Sequence, residues 1–214
     1  MTFELFDKIS NLYNDTRFLF LCASSGNDLT QDFTAPSDGS SMQEPMEVMV
    51  QAFIRFPKLL VTLVNGPAIG IAGTVIALSD IIYASENAYF YTPFTNLGLC
   101  AEGCSSVTFP KILGTSKANE MLMLNHKMSA QEAYTFGFVS EVYKDDREIW
   151  KKLEQITRLG VGSIMSNKRL TRKFTIAELE AANLAESHEL GLRFESEEAL
   201  MAMMNFHQSR KSKL

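Results

Sequence analysis

Asn65-Gly66-Pro67-Ala68-Ile69-Gly70-Ile71-Ala72-Gly73 is the stretch on which the fold turns. It stands between two apolar runs, Leu59 to Val64 and Ile81 to Ala84, each of a length suited to a buried strand. Gly66-Pro67 reads as a turn, and a helix-like apolar segment begins near Gly70 and ends at Asp80. Backbone N–H groups in the first turn of a helix have no internal partner, and the dipole there favours negative charge. Gly70 has no Cβ, so a ligand oxygen can approach the Ile71 N–H closely. The stretch is equally compatible with a plain strand–turn–helix whose glycines serve tight packing, because a short glycine pattern is weak evidence.

Upstream, Phe18 to Cys22 is another buried strand, and it leads into a second glycine turn, Ala23-Ser24-Ser25-Gly26-Asn27-Asp28-Leu29. Two such turns can aim two N–H groups, from Asn27 and Ile71, at one carbonyl oxygen. Asp28 is open to two readings, a catalytic acid or a turn residue satisfying its own backbone. Phe3, Leu5, Phe6, Ile9, Leu12 and Tyr13 recur at helical spacing, Asp32 to Pro45 reads as a loop, and Met46 to Phe56 is a helix stopped before Pro57. Strands alternating with helices, without hairpin turns between them, predict βαβ units.

Downstream, Leu97-Gly98-Leu99-Cys100-Ala101-Glu102-Gly103-Cys104-Ser105-Ser106 presents a lone carboxylate among small and apolar residues. Glu102 is either an exposed glutamate at a helix start or a base in a dry pocket, where desolvation raises its pKa. From Thr108 on, helices dominate. Ser129-Ala130-Gln131-Glu132 is a capping box for a helix closed by Gly137, and Thr175-Ile176-Ala177-Glu178 is a second, for a helix to about Leu190. Ser196 caps a last helix with Glu197 and Glu198 in its first turn and Arg210 and Lys211 beyond its end. Leu200, Met203, Met204 and Phe206 give that helix an apolar face for core or subunit contact rather than a binding groove.

Composition narrows the classes of function. A net charge of −5 leaves no basic footprint for nucleic acid. Cys22, Cys100 and Cys104 are an odd set that suits free thiols in a reducing compartment. His126, His188 and His207 keep no metal-ligand spacing with them. The longest apolar run, Ile69 to Leu78, is too short to span a bilayer, and no secretory signal is expected at the front. Ser212-Lys213-Leu214 matches the peroxisomal address, so an import receptor is an expected partner and the peroxisome the expected location.

Ser24-Ser25-Gly26-Asn27-Asp28-Leu29, followed by Asn65-Gly66-Pro67-Ala68-Ile69-Gly70-Ile71, resembles the crotonase (enoyl-CoA hydratase/isomerase) superfamily. The resemblance covers essentially the whole chain, including Ile81-Ile82-Tyr83-Ala84-Ser85 and the region from Ser129 to Val142. Phe94-x-x-Leu97-Gly98-Leu99-x-Ala101-Glu102-Gly103-Cys104-Ser105-Ser106 is similar to the peroxisomal Δ3,Δ2-enoyl-CoA isomerase branch. It implies an α/β fold, a spiral of βαβ turns over residues 1–160 with a C-terminal helical trimerisation region over residues 161–214. It also implies an acyl-CoA thioester as substrate, a homotrimer, and no cofactor beyond the CoA of the substrate. The oxyanion N–H groups fall on Asn27 and Ile71, and the base on Glu102. The substrate-binding residues it implies are Ser24, Ser25, Gly26, Asp28, Leu29 and Gly70; Phe94, Leu97 and Leu99 are candidates for lining an acyl tunnel, with core packing an equally good account of those three.

Two departures shape the expectation. Hydratases of the superfamily carry glutamates at the places held here by Thr74 and Phe94, and the mitochondrial isomerases put their base at the Phe94 place. Water addition needs two carboxyl groups, so the chain reads as an isomerase with Glu102 as its base. Members also begin with a strand pair that this sequence does not show before Thr2, so the N-terminal hairpin is expected to be missing and a sheet edge exposed. That leaves a rival reading, a weak or inactive acyl-CoA-binding subunit.

Overall fold

The computed structural model describes residues 18–23 and 43–211. The N-terminal helix, the turn from Ser24 to Leu29, the loop expected from Asp32 and the tail Ser212-Lys213-Leu214 lie, wholly or nearly so, outside the described residues.

Four strands form an all-parallel sheet in the order β1 (Phe18–Ala23), β2 (Leu59–Val64), β4 (Ile81–Ser85), β7 (Glu141–Tyr143). Phe18 stands opposite Leu59, Val61 opposite Ile81 and Tyr83 opposite Glu141. Parallel strands need covered faces, and every residue of β2 is buried accordingly. Alternate side chains serve opposite faces. Leu60 and Val64 join Met49, Val50 and Phe53 of helix α1 (Gln43–Ile54) in one cluster, while Leu59, Val61 and Leu63 join Tyr83, Tyr143, Ile149 and Leu153 in another. Ile149 and Leu153 come from α6 (Asp146–Ile156), which covers that second face.

The turn read at Gly66-Pro67 holds more structure than expected. Pro67–Ile69 is a short strand, β3, parallel to β5 (Tyr89–Tyr91), and β5 pairs antiparallel with β6 (Lys127–Ser129) in a second sheet. Proline is tolerated there because it opens the strand and owes no ladder bond. The helix expected from Gly70 to Asp80 is broken in two: α2 covers only Ile71–Thr74, and a 3₁₀ helix follows over Val75–Leu78.

Beyond these lie α3 (Ser105–Leu113), α4 (Thr115–Leu124), α5 (Ala130–Thr135), α7 (Val161–Arg172), α8 (Ile176–Phe194) and α9 (Glu197–Lys211). The box at Ser129 is formed as expected, with Ser129 accepting from the Glu132 N–H and Glu132 from the Ser129 N–H. The box at Thr175 is not formed. Thr175 sits in the helical region (φ −106°, ψ −20°) and its hydroxyl donates to Arg172 O, while Glu178 pairs with Lys111. Ser196 does cap α9 by accepting from the Ala199 N–H, but α9 runs on to include Arg210 and Lys211. Leu200 and Met204 are more than half exposed, so the apolar face of α9 is not core.

The C-terminal helices are tied to the sheet by Asp80, which accepts from the Leu60 N–H and pairs with Lys168 at 2.6 Å and Arg172 at 3.1 Å, both on α7. From the other side Asn183 on α8 donates to Glu47 O of α1. Helix α8 is thereby laid across the start of α3, where the site is found.

Candidate active site

Gly70 is the hinge between β3 and α2. Its N–H donates to Tyr91 O, and its carbonyl accepts from the N–H groups of Gly73 and Thr74. Its dihedrals, φ 59° and ψ −132°, mirror an extended conformation and are open to glycine alone. The chain thereby reverses so that Ile71, 5% exposed, begins a helix with its N–H unpartnered among the described residues. A helix of one turn has little dipole, so the value of this group as an oxyanion donor rests on the N–H itself. Gly70→Ala is expected to cost about 1–3 kcal/mol for an L-residue held in that conformation, read as a lower denaturation midpoint.

The second half of the site is the loop before α3. Gly103 and Cys104 are both left-handed, with φ 65° and 63°. A Cβ on Gly103 would lie 2.5 Å from Thr74 Oγ1 and 3.0 Å from Ile71 Cδ1, so the loop is pressed directly against α2. The Glu102 carbonyl accepts from the Ser105 N–H and hydroxyl, which fixes the backbone at the helix start. This contact turns the Glu102 side chain towards Gly70: its Oε1 lies 3.7 Å from where a Gly70 Cβ would stand. Sequence placed these groups 32 positions apart (70 and 102); the fold brings the carboxylate beside the residue that precedes the Ile71 N–H.

Burial pushes the Glu102 carboxyl up to about 8, with the charge of Glu186 adding to the rise. Glu186 was not foreseen, and the expectation of a lone carboxylate is corrected by it. It is 7% exposed on α8, and its two oxygens accept from the N–H groups of Cys104 at 2.6 Å and Ser106 at 2.8 Å. The signal was present in the sequence: Leu179, Ala182, Asn183, Glu186 and Leu190 form the buried stripe of α8, and a glutamate in such a stripe needs a partner. Glu102, Glu186 and Asn183 line a cavity of about 10 Å³ with Met46 and Val50, room for roughly one water.

The other candidates sort as follows. Thr74 is fully buried and its hydroxyl donates to Ile71 O, so it has no free role towards a water. Phe94 and Leu97 are 3% and 8% exposed, Leu99 is partly exposed, and none of the three lines the cavity at Glu102. Gly98, between the last two, is held by the Arg193 guanidinium donating to its carbonyl. Burial pushes the Cys100 thiol up to about 11 and the Cys104 thiol up to about 12, so neither supplies a thiolate near neutrality. Ser24, Ser25, Gly26, Asn27, Asp28 and Leu29 lie outside the described residues, and with them the N–H expected as the second oxyanion donor. Among the described residues no cluster of His, Cys, Asp and Glu is fit to hold a metal, and no helix is long and apolar enough to cross a membrane.

Known proteins share this arrangement of elements. The sequence pattern described as enoyl-CoA hydratase/isomerase matches residues 20–213. Enoyl-CoA delta isomerase 2 of Rattus norvegicus is 44% identical over 201 residues, covering 89% of this chain and 50% of that protein. The Mus musculus protein named enoyl-CoA delta isomerase 3, peroxisomal, is 39% identical over 195 residues, covering 86% of this chain and 60% of that protein. The chain thus spans about half the length of the curated relatives it matches. A crystal structure of an enoyl-CoA hydratase/isomerase from Pseudoalteromonas atlantica T6c has a TM-score of 0.87 at 29% identity, covering 96% of this chain and 85% of that one.

Proposed function

The chain belongs to the enoyl-CoA hydratase/isomerase family and has its crotonase-like fold, and we propose that it is an isomerase moving the double bond of a 3-enoyl-CoA to the trans-2 position during fatty acid β-oxidation. The observation that carries this reading is the Glu102 carboxylate lying against Gly70, one residue ahead of the Ile71 N–H, which has no partner among the described residues. Glu102 takes a proton from C2 of the thioester. The dienolate oxygen rests on the N–H groups of Ile71 and Asn27, and the same carboxyl returns the proton at C4. A carboxyl whose pKa is raised to about 8 suits both halves of that exchange, since it is a stronger base than an ordinary carboxylate and can still be ionised in part near neutral pH.

Isomerisation is favoured over hydration because the two places that carry glutamates in hydratases of the superfamily hold Thr74 and Phe94. Thr74 has no charge and its hydroxyl is committed, and Phe94 is apolar and buried. Incubating the protein with a trans-2-enoyl-CoA tests the distinction: 3-hydroxyacyl-CoA should not accumulate, and its rapid appearance would make the chain a hydratase. The homotrimer belongs to the same proposal, supported by the exposed Leu200, Met201 and Met204 on α9. Peroxisomal address through Ser212-Lys213-Leu214 is supported by the relative named peroxisomal. Deleting the tripeptide is expected to leave a tagged chain diffuse in the cytosol, as seen by fluorescence microscopy in cells lacking the full-length protein. Retained punctate staining would remove the receptor from the account.

A further inference from the structure

Glu186 lies 84 positions from Glu102 (102 and 186) and is used in neither proton transfer, yet both of its carboxylate oxygens are engaged at the site. Its carboxylate spans the N–H groups of Cys104 and Ser106, on the loop and helix start just after Glu102. These are groups that a helix start leaves without an internal partner, and here no side chain of the loop itself caps them. The loop they belong to needs holding, because Gly103 and Cys104 are consecutive left-handed residues and Cys104 is not a glycine. A short capping residue such as Asp or Ser would serve the helix alone. A glutamate reaching across from α8 also sets a second carboxylate on the wall of the cavity that Glu102 lines.

We propose that Glu186 is a positioning residue for proton transfer, a clamp whose carboxylate fixes the loop presenting Glu102 and stands as a second negative charge on the wall of the same cavity. This rests on the isomerase reading for its purpose, though not for its measurement. The chemistry follows from where the donors are. Glu186 accepts two N–H bonds that favour its ionised form, and those bonds offset part of the rise that burial imposes on it. Among the described residues Glu102 accepts no such bonds, and on this proposal Glu186 ionises first while Glu102 keeps the proton. A base that must carry a proton from C2 to C4 benefits from holding it firmly between the two steps.

Among the described residues the groups facing the pair are few. From α8 come Glu186 itself and, near Cys100, Glu189 and Arg193; the loop supplies the Cys100 and Cys104 thiols, both neutral at working pH. From α1, Met46, Glu47 and Val50 reach the cavity. Glu186 is the one charge among them that raises the affinity of Glu102 for its proton.

The test follows individual carboxyl groups by NMR in the full chain labelled with ¹³C-carboxyl glutamate. Glu102→Gln assigns the Glu102 signal and Glu186→Asp that of Glu186. In the wild type Glu186 should ionise at lower pH than Glu102, and the Glu102 signal should respond to that ionisation. In Glu186→Gln, which keeps the shape and removes the charge, the Glu102 midpoint should fall. In Glu186→Asp the charge remains and the midpoint should stay nearer the wild-type value. An unchanged midpoint in Glu186→Gln, or an Asp variant indistinguishable from it, overturns the proposal. If Glu186→Gln does not fold, the wild-type order of ionisation decides, and Glu102 ionising first overturns it. Kinetics add a second readout: kcat should fall in Glu186→Gln with KM unchanged, and the acid limb of the pH profile should move to lower pH. The titrations need no substrate, so a wild-type chain without isomerase turnover would count against the proposed function and leave this inference to be judged on its own.

Discussion

Glu102→Gln is expected to lose isomerisation by a factor of ~10²–10⁴, the usual worth of a positioned general base, while keeping fold and acyl-CoA affinity. The amide has nearly the shape of the carboxyl and sits at the same 3.7 Å from the Gly70 Cβ position, so the pocket is not rebuilt. Stability should change in the opposite sense to activity. A carboxyl raised from 4.5 to about 8 binds its proton more tightly folded than unfolded, so its contribution to stability is complete below pH 4.5. That contribution is lost as pH rises to about 8, because the folded state must then give up a proton or bury a charge. Glu102→Gln has no such loss. Its melting temperature should match the wild type near pH 4.5, exceed it increasingly towards pH 8, and run parallel above. A variant that keeps more than about a tenth of the wild-type rate would remove Glu102 as the base.

The second large effect is expected at Ile71, where the backbone and not the side chain is at stake. Ile71→Pro removes the N–H, and removal of one oxyanion donor costs ~10²–10³ in rate. The local structure tolerates the ring: position 71 is the first residue of its helix and its N–H has no partner among the described residues. Gly70 before it is already in an extended-type conformation rather than a helical one. Ile71→Val is the control. It trims the Cδ1 that lies against Gly103 and should cost about 0.5–1.5 kcal/mol in stability with little change in turnover. Circular dichroism on both variants separates unfolding from lost chemistry. Equal turnover in folded Ile71→Pro and Ile71→Val would make this turn structural only.

How much of this was legible depended on whether the signal was local. The parallel sheet was readable because β2 and β4 are continuous apolar runs, which only covered strands can be. Strand β3 escaped because three residues carry no period and its pairing partner, Tyr89–Tyr91, lies 22 positions on (67 and 89). The Ser129 box was correct because Glu132 keeps one oxygen on the Ser129 N–H while its other oxygen pairs with His126. The Thr175 box failed because Lys111 on α3 draws Glu178 away, a contact no local pattern encodes. Helix α8 outran its expected end at Leu190 because Arg193, in its last turn, is held by Gly98 O and Glu198. In the site, Gly70 and Glu102 could be named from residue type and resemblance, but their meeting is a product of Gly103 packed against Thr74. Glu186 belongs to a helix read only for its caps, and its role appears once α8 is laid over the start of α3.

The measurement that bears most directly on the central claim is turnover of a 3-enoyl-CoA by the purified chain, followed by mass spectrometry and chromatography of the thioesters, beside calorimetric binding of the same compound. The account requires conversion to the trans-2-enoyl-CoA, with kcat/KM rising through an acid limb whose midpoint lies near the Glu102 value of about 8. Binding without conversion at any pH would contradict it, and would make the chain an acyl-CoA-binding relative that carries the site without its chemistry.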